Sequence, residues 1–154
     1  EGPKVLEYNA RFGDPETQVL MPRLDGDWLA LLRASAEGGI DRLVPRWRPD
    51  AAVCVVMTSG GYPGSYAKGR AIEGLDETDR LDDVVVFHAG TEVDDGGRTV
   101  TTGGRVLGVT ALGNDLGAAR ERAYAGVAKI RWQDEHHRTD IALDAIAALG
   151  GKNA

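Results

Sequence analysis

The stretch 5-VLEYNARFGDPETQ-18 holds two patterns end to end. Val5, Leu6, Tyr8 and Ala10 alternate imperfectly with polar groups, which predicts a strand over residues 4–11. Asp14 then offers a helix cap, and Pro15 suits the first helical position, where its missing N–H costs nothing. The helix would carry Val19, Leu20 and Met21 and close at Pro22 or the residues just after. In a strand, successive side chains point to opposite faces, so Glu7, Asn9 and Arg11 should project together. A Glu carboxylate and an Asn carbonyl are hard oxygen ligands suited to Mg2+ or Mn2+. Arg11 adds a planar cationic fork able to hold a phosphoryl or carboxylate group bidentately. A divalent cation with an arginine is the usual equipment for phosphoryl transfer. The competing reading is a solvated polar strand face, because so short a pattern also arises by chance.

Outward from this stretch, Asp25 or Gly26 opens a second helix. Trp28, Leu31 and Leu32 give it helical spacing, and Gly38-Gly39 is a stop. The segment 44-VPRWRPD-50 has two prolines and little periodicity and reads as a linker. Residues 52–58 form an almost continuous apolar strand, followed by the Gly- and Tyr-rich loop 59-SGGYPGSYAKG-69. A strand-like run, 84-VVVFHAG-90, leads into 91-TEVDDGGRTVT-101, where Asp-Gly-Gly signals a hairpin. Another strand follows at 104–113, then an alanine-rich helix over 116–130 capped by Asn114 or Asp115. A short strand is expected at 130–132, and a tail from residue 143 that begins as a helical turn and frays beyond Gly150.

The expected fold class is α+β. Residues 1–45 read as one strand and two helices ending an α/β unit. Residues 50–142 read as a small, mainly antiparallel β domain with one long helix, and residues 143–154 as a tail.

A net charge of −6 argues against a nucleic-acid coat, which needs clustered Lys and Arg, but leaves room for one cationic pocket. The lone cysteine, Cys54, cannot form an internal disulfide and reads as a buried core thiol, in keeping with a reducing, cytoplasmic setting. No apolar run approaches the roughly 18 residues of a membrane span, and no signal peptide is visible. The first residue is Glu1 rather than Met, so a piece of a longer protein or a processed product is expected.

The full string 5-VLEYNARFGDPETQ-18 resembles the signature near the end of the ATP-grasp domain of glycinamide ribonucleotide synthetase, also called phosphoribosylamine–glycine ligase. Four further blocks, in the same order, resemble that family: 54-CVVMTSGGYPGSYAKGRAI-72, 87-FHAGT-91, 102-TGGRVLGVTALG-113 and the pair Arg138 and Asp140. Together they span roughly residues 3–142. The resemblance implies an enzyme of purine biosynthesis that uses ATP to join glycine to 5-phosphoribosylamine through a glycyl phosphate. It implies that Glu7 and Asn9 are the metal ligands and that Arg11 contacts phosphate or the acyl phosphate. Asp14 would stand at the glycine end of the pocket or, alternatively, cap the helix. The chain departs from the family pattern at Ala142, where a glycine is common, and in the polar stretch 131-RWQDEHHRTD-140.

Other residues carry two readings each. The loop 59-SGGYPGSY-66 is either a ligand contact or a plain turn. Arg105, beside two glycines, either contacts phosphate or forms a surface ion pair. His88 reads as a packing histidine, and His136-His137 lacks the further ligands a zinc site requires. Trp28, Trp47 and Trp132 read as packing residues. The expected partners are ATP, glycine, 5-phosphoribosylamine and an amino-terminal part of the enzyme carrying the rest of the nucleotide site. No nucleic acid or membrane partner is expected, and the chain alone should not catalyse the ligation. The alternatives are a stand-alone, non-catalytic module that binds a ligand or partner, and a related ATP-grasp carboxylase.

Overall fold

The computed structural model describes residues 2–150. Its core is a four-stranded antiparallel sheet with one long helix laid across one face. In chain order the elements are helices α1 (Glu16–Leu20) and α2 (Trp28–Glu37), strand β1 (Ala51–Ser59), helix α3 (Leu75–Thr78), and strands β2 (Val84–His88), β3 (Thr91–Val93), β4 (Thr99–Thr101) and β5 (Arg105–Gly113). Helix α4 (Leu116–Val127), strand β6 (Glu135–His137) and helix α5 (Leu143–Gly150) complete the chain. The sheet order is β2-β5-β1-β6, and β3 and β4 form a separate hairpin. The expected α+β class, with antiparallel sheets and one long helix, is what the structure has.

The two-residue period of β1 decides the layering. Val53, Val55 and Met57 are buried, and in the register they face Ala111, Val109 and Leu107 of β5. Helix α4 covers this face with Ala119, Ala123 and Val127, a stripe at spacings of four. Small residues on the helix allow close approach. Gly113, where β5 turns into α4, has no room for a Cβ against the backbone of Ala118 and Ala119. Asp115 caps α4, its carboxylate accepting from the Ala118 N–H at 2.8 Å. Replacing Asp115 with Ala is expected to cost about 1 kcal/mol, read as a lowered urea midpoint at unchanged slope.

The hairpin of β3 and β4 bears out the Asp-Gly-Gly signal. Gly97 takes φ 77, and Asp94 accepts from the backbone N–H groups of Gly96 and Arg98, both at 2.9 Å. The Arg98 backbone and guanidinium donors hold the Asp94 carboxyl below the ordinary carboxylate range.

Three local expectations are corrected. Residues 4–11 form no strand and bend at Ala10 and Arg11, because no described segment offers them a backbone ladder; Leu6 is 97% and Tyr8 89% exposed. Asp14 does not cap α1: the cap position is Pro15, with no side-chain bond, and the Asp14 carboxylate is engaged elsewhere. The strand expected at 130–132 is absent. Arg131 makes one isolated bridge to Glu73, Ile130 and Trp132 are buried, and the strand forms at β6, whose backbone meets the end of β1. The α1 helix does end as Pro22 requires, passing into a 3-10 turn over Met21–Arg23. The fraying expected beyond Gly150 lies outside the described residues.

The segment read as a linker is tied to the chain before it. The Asp25 N–H donates to the Arg46 carbonyl and the Arg48 N–H to that of Arg23, both at 2.8 Å. Trp28 stands edge-on to both Phe12 and Trp47, at ring distances of 5.7 and 6.2 Å. Leu24 is buried here, but Leu29, Leu32, Ile40 and Val44 are exposed. Trp132, by contrast, belongs to the main core.

Candidate functional site

The side chains of Glu7, Asn9 and Arg11 touch in sequence. Asn9 Nδ2 donates to Glu7 Oε1 at 3.2 Å, and Arg11 NH1 donates to Asn9 Oδ1 at 3.3 Å and to the Phe12 carbonyl at 2.9 Å. All three are exposed. Among the described residues there is no group of three or more His, Cys, Asp or Glu side chains that could hold a metal. The Asn9 amide nitrogen faces Glu7 and its oxygen faces Arg11, so a cation held by Glu7 and Asn9 together would have to turn the amide and displace the Arg11 contact. Two oxygen donors would suffice for Mg2+, which keeps waters and substrate phosphates for the rest of its shell.

The turn after Phe12 connects this segment to the sheet. Asp14 pairs with Arg105 across 91 positions of sequence: the guanidinium lies 3.1 Å from the Asp14 carboxylate and donates to its backbone carbonyl at 2.9 Å. Gln18 Nε2 also donates to Asp14, at 2.8 Å. Arg105 opens β5, directly after the two glycines of 102-TGGR-105. Of the two readings of Arg105, the structure shows the surface ion pair, made with Asp14. The pair is half-exposed, so its worth to folding is small. Arg105→Ala should change unfolding stability by less than about 1 kcal/mol; a loss above about 2 kcal/mol would show that the pair holds α1 to the sheet.

Three of the sequence blocks converge around Arg105. Ser59 N–H donates to the Gly104 carbonyl at 2.8 Å and its hydroxyl to the Gly103 carbonyl at 2.9 Å. Thr102 N–H donates to the Gly90 carbonyl at 2.8 Å, so the loop after β2 meets the loop before β5. The rings of Tyr62 and Tyr66 lie over Gly104, where a side chain would collide with Tyr62.

Beside this junction is a cavity of about 350 Å3 on the sheet face opposite α4. Its floor is Cys54, Val56 and Thr58, the β1 residues that alternate with the core set. Pro15 lines it from the α1 side, and Tyr62 and Arg105 from the converging loops. The remaining wall comes from β6 and the segment after it: His136, His137, Arg138 and Ile141. None of these lining residues is acidic, in a chain of net charge −6. Arg138 is oriented by Asp140, whose two carboxylate oxygens accept at 2.8 and 2.7 Å. Arg138 hydrogen bonding holds the Asp140 carboxyl below the ordinary carboxylate range.

Several of these residues are not legible as site residues in the sequence. Cys54 is half-buried on the open face rather than in the core, and burial pushes its thiol pKa up. An apolar run gives no sign of which alternate residues face the helix. His88 is exposed, with Nδ1 2.9 Å from Thr91 Oγ1, because the β2 edge leaves that position uncovered. His136 and His137 are at the cavity because β6 pairs with β1, which their charged local sequence does not suggest. Their spacing shows only that they lack zinc partners.

A family model described as "Phosphoribosylglycinamide synthetase, C domain" matches residues 52–144. The chain is 52% identical over 145 residues to the chloroplastic phosphoribosylamine–glycine ligase of Arabidopsis thaliana, covering 94% of this chain and 27% of that protein. It is 49% identical over 146 residues to the phosphoribosylamine–glycine ligase of Rhodopirellula baltica, covering 94% of this chain and 33% of the relative. The crystal structure of phosphoribosylamine–glycine ligase from Thermotoga maritima superposes with a TM-score of 0.70 at 34% identity, over 90% of this chain and 33% of that one. The chain thus spans about a third of the length of the relatives it matches. With more than half of its residues inside one family model and its fold shared with a solved ligase, the chain belongs to the phosphoribosylglycinamide synthetase C-domain family.

Proposed function

We propose that this chain is the carboxy-terminal part of a phosphoribosylamine–glycine ligase and completes its metal and acyl-phosphate site. The observation that carries the proposal is the contiguous Glu7–Asn9–Arg11 array, joined through Asp14 and Arg105 to a cavity without acidic lining. In the ligase, the γ-phosphoryl of ATP passes to the glycine carboxylate, releasing ADP. The amine of 5-phosphoribosylamine then attacks the activated carbonyl, and phosphate leaves as the amide forms. Glu7 and Asn9 would hold Mg2+ or Mn2+, which neutralises charge on the transferring phosphoryl group. Arg11 would hold the phosphoryl oxygens; its fork now rests on Asn9 and must release it to do so. Asp14 suits the glycine amine as a fixed carboxylate, and Arg105 suits a phosphate or carboxylate oxygen.

The remaining partner in this reading is an amino-terminal part that supplies the adenine and triphosphate contacts. The apolar surface of residues 5–47 supports it. Val5, Leu6, Tyr8, Leu29 and Val44 are between 68% and 97% exposed, an unusual concentration for a surface facing only water. The setting proposed is the cytoplasm, supported by the lack of any cysteine pair.

The test is a chimera in which this chain replaces the corresponding third of the Thermotoga maritima ligase. Glycine- and phosphoribosylamine-dependent ADP release is expected from the chimera and none from the 154-residue chain alone. A folded chimera without turnover, or turnover by the chain alone, would overturn the reading.

A further inference from the structure

Residues 134–142 form a strap from the sheet edge to α5. Near each end a non-glycine residue is held in the left-handed region, Asp134 at φ 64 and Ala142 at φ 67, a conformation side-chain-bearing residues adopt only when their surroundings impose it. The first part of the strap is β6, paired with Met57, Thr58 and Ser59. Beyond His137 no strand among the described residues continues the ladder.

Two α4 side chains, one turn apart, hold the backbone there instead. Arg120 donates to the Ile141 carbonyl at 2.9 Å and to the Thr139 carbonyl at 2.6 Å. The Tyr124 hydroxyl donates to the Arg138 carbonyl at 2.7 Å and accepts from the Ile141 N–H at 3.2 Å. The Arg120 guanidinium lies 4.5 Å from the centre of the Tyr124 ring, so the two grips brace each other. Ile141 and Ala142 also pack on the edge of the core.

The strap brings His136, His137, Arg138 and Ile141 to the cavity, the whole of one wall. Asp140 occupies the Nε and NH2 groups of Arg138 and leaves its NH1 edge for a ligand. Across the cavity stand Tyr62 and Arg105, the latter paired with Asp14, while on the floor the Thr58 hydroxyl donates to the His136 carbonyl at 3.0 Å. Two arginines, each oriented by a carboxylate, with a tyrosine and an apolar floor in a space of about 350 Å3, suit a small phosphate monoester.

We propose that Arg120 and Tyr124 are positioning residues: by pinning the strap to α4 they set the wall of a phosphate-monoester subsite, with the phosphate between Arg138 and Arg105. The ligand class rests on the ligase reading, in which the amine-bearing substrate is a pentose 5-phosphate; the pinning of the strap does not.

The experiment titrates the 154-residue chain with ribose 5-phosphate, and separately with ribose, following backbone and ring resonances. Ribose 5-phosphate should shift Thr58, Tyr62, His136 and Arg138, and ribose should not. Tyr124→Phe, which loses only a hydroxyl, and Arg120→Met should each weaken binding at least tenfold and speed amide exchange at Ile141. Arg120→Lys, which keeps one donor, should restore part of the affinity. A strap that merely finishes the fold would lower thermal stability and leave the affinity of the folded variants within twofold of the parent, which would overturn the positioning role. An unperturbed set of lining residues, or equal shifts with ribose, would overturn the subsite. Either result is separable from failure of the ligase reading, which the turnover of the chimera reports.

Discussion

In a ligase whose carboxy-terminal part is this chain, Glu7→Ala should lower turnover about a thousandfold or more at saturating substrates. In the proposed site Glu7 would supply one of the two protein oxygens, and its carboxylate is the only formal negative charge in the Glu7–Asn9–Arg11 array. Losing it weakens the hold on the cation that neutralises the transferring phosphoryl group, a contribution of several kcal/mol to the transition state. At about 1.4 kcal/mol per factor of ten, a loss near 4 kcal/mol corresponds to that thousandfold. Folding should hardly respond, because Glu7 is exposed and its side-chain partner is the equally exposed Asn9. The check is kcat at rising Mg2+ alongside a melting curve. Activity within a few-fold of the parent enzyme at ordinary Mg2+ would remove Glu7 from the metal site.

The other large effect concerns stability. Leu107 is 1% exposed at the centre of the core, opposite Met57 on β1 and His88 on β2. Leu107→Ala removes its methyl groups from a packed layer between two strands and α4, which can collapse only in part. A loss of roughly 2–5 kcal/mol is expected, from lost transfer free energy and the cavity left behind. Urea unfolding of the 154-residue chain would show it as a lower midpoint at similar slope. A change under about 1 kcal/mol would mean that this layer repacks freely, contrary to the burial on both sides of β5.

These two residues differ in how far sequence alone exposes their roles. The contact of Glu7, Asn9 and Arg11 is legible, because residues two apart are close enough for their polar side chains to meet whether or not a sheet forms. The segment itself reads as a strand and is not one, since strand formation depends on a neighbouring backbone that the string cannot display. Arg105 is legible as a cation beside two glycines, but its partner is not. The sequence leaves Asp14 open between a ligand and a helix end, and the structure pairs it with Arg105.

Features that depend only on near neighbours along the chain are written in the amino-acid order itself. The β1 and β5 runs, the Asp115 cap of α4 and the Asp-Gly-Gly turn each depend on a few adjacent residues, whose backbone preferences act locally. Tertiary structure alone decided which distant segments meet. It set Asp14 against Arg105, chose the open face of the sheet for Cys54, laid β6 beside β1 and pinned the strap to α4 through Arg120 and Tyr124. Those contacts arise from burial and hydrogen-bond satisfaction summed over the whole chain, and no short window of sequence contains both members of any of them.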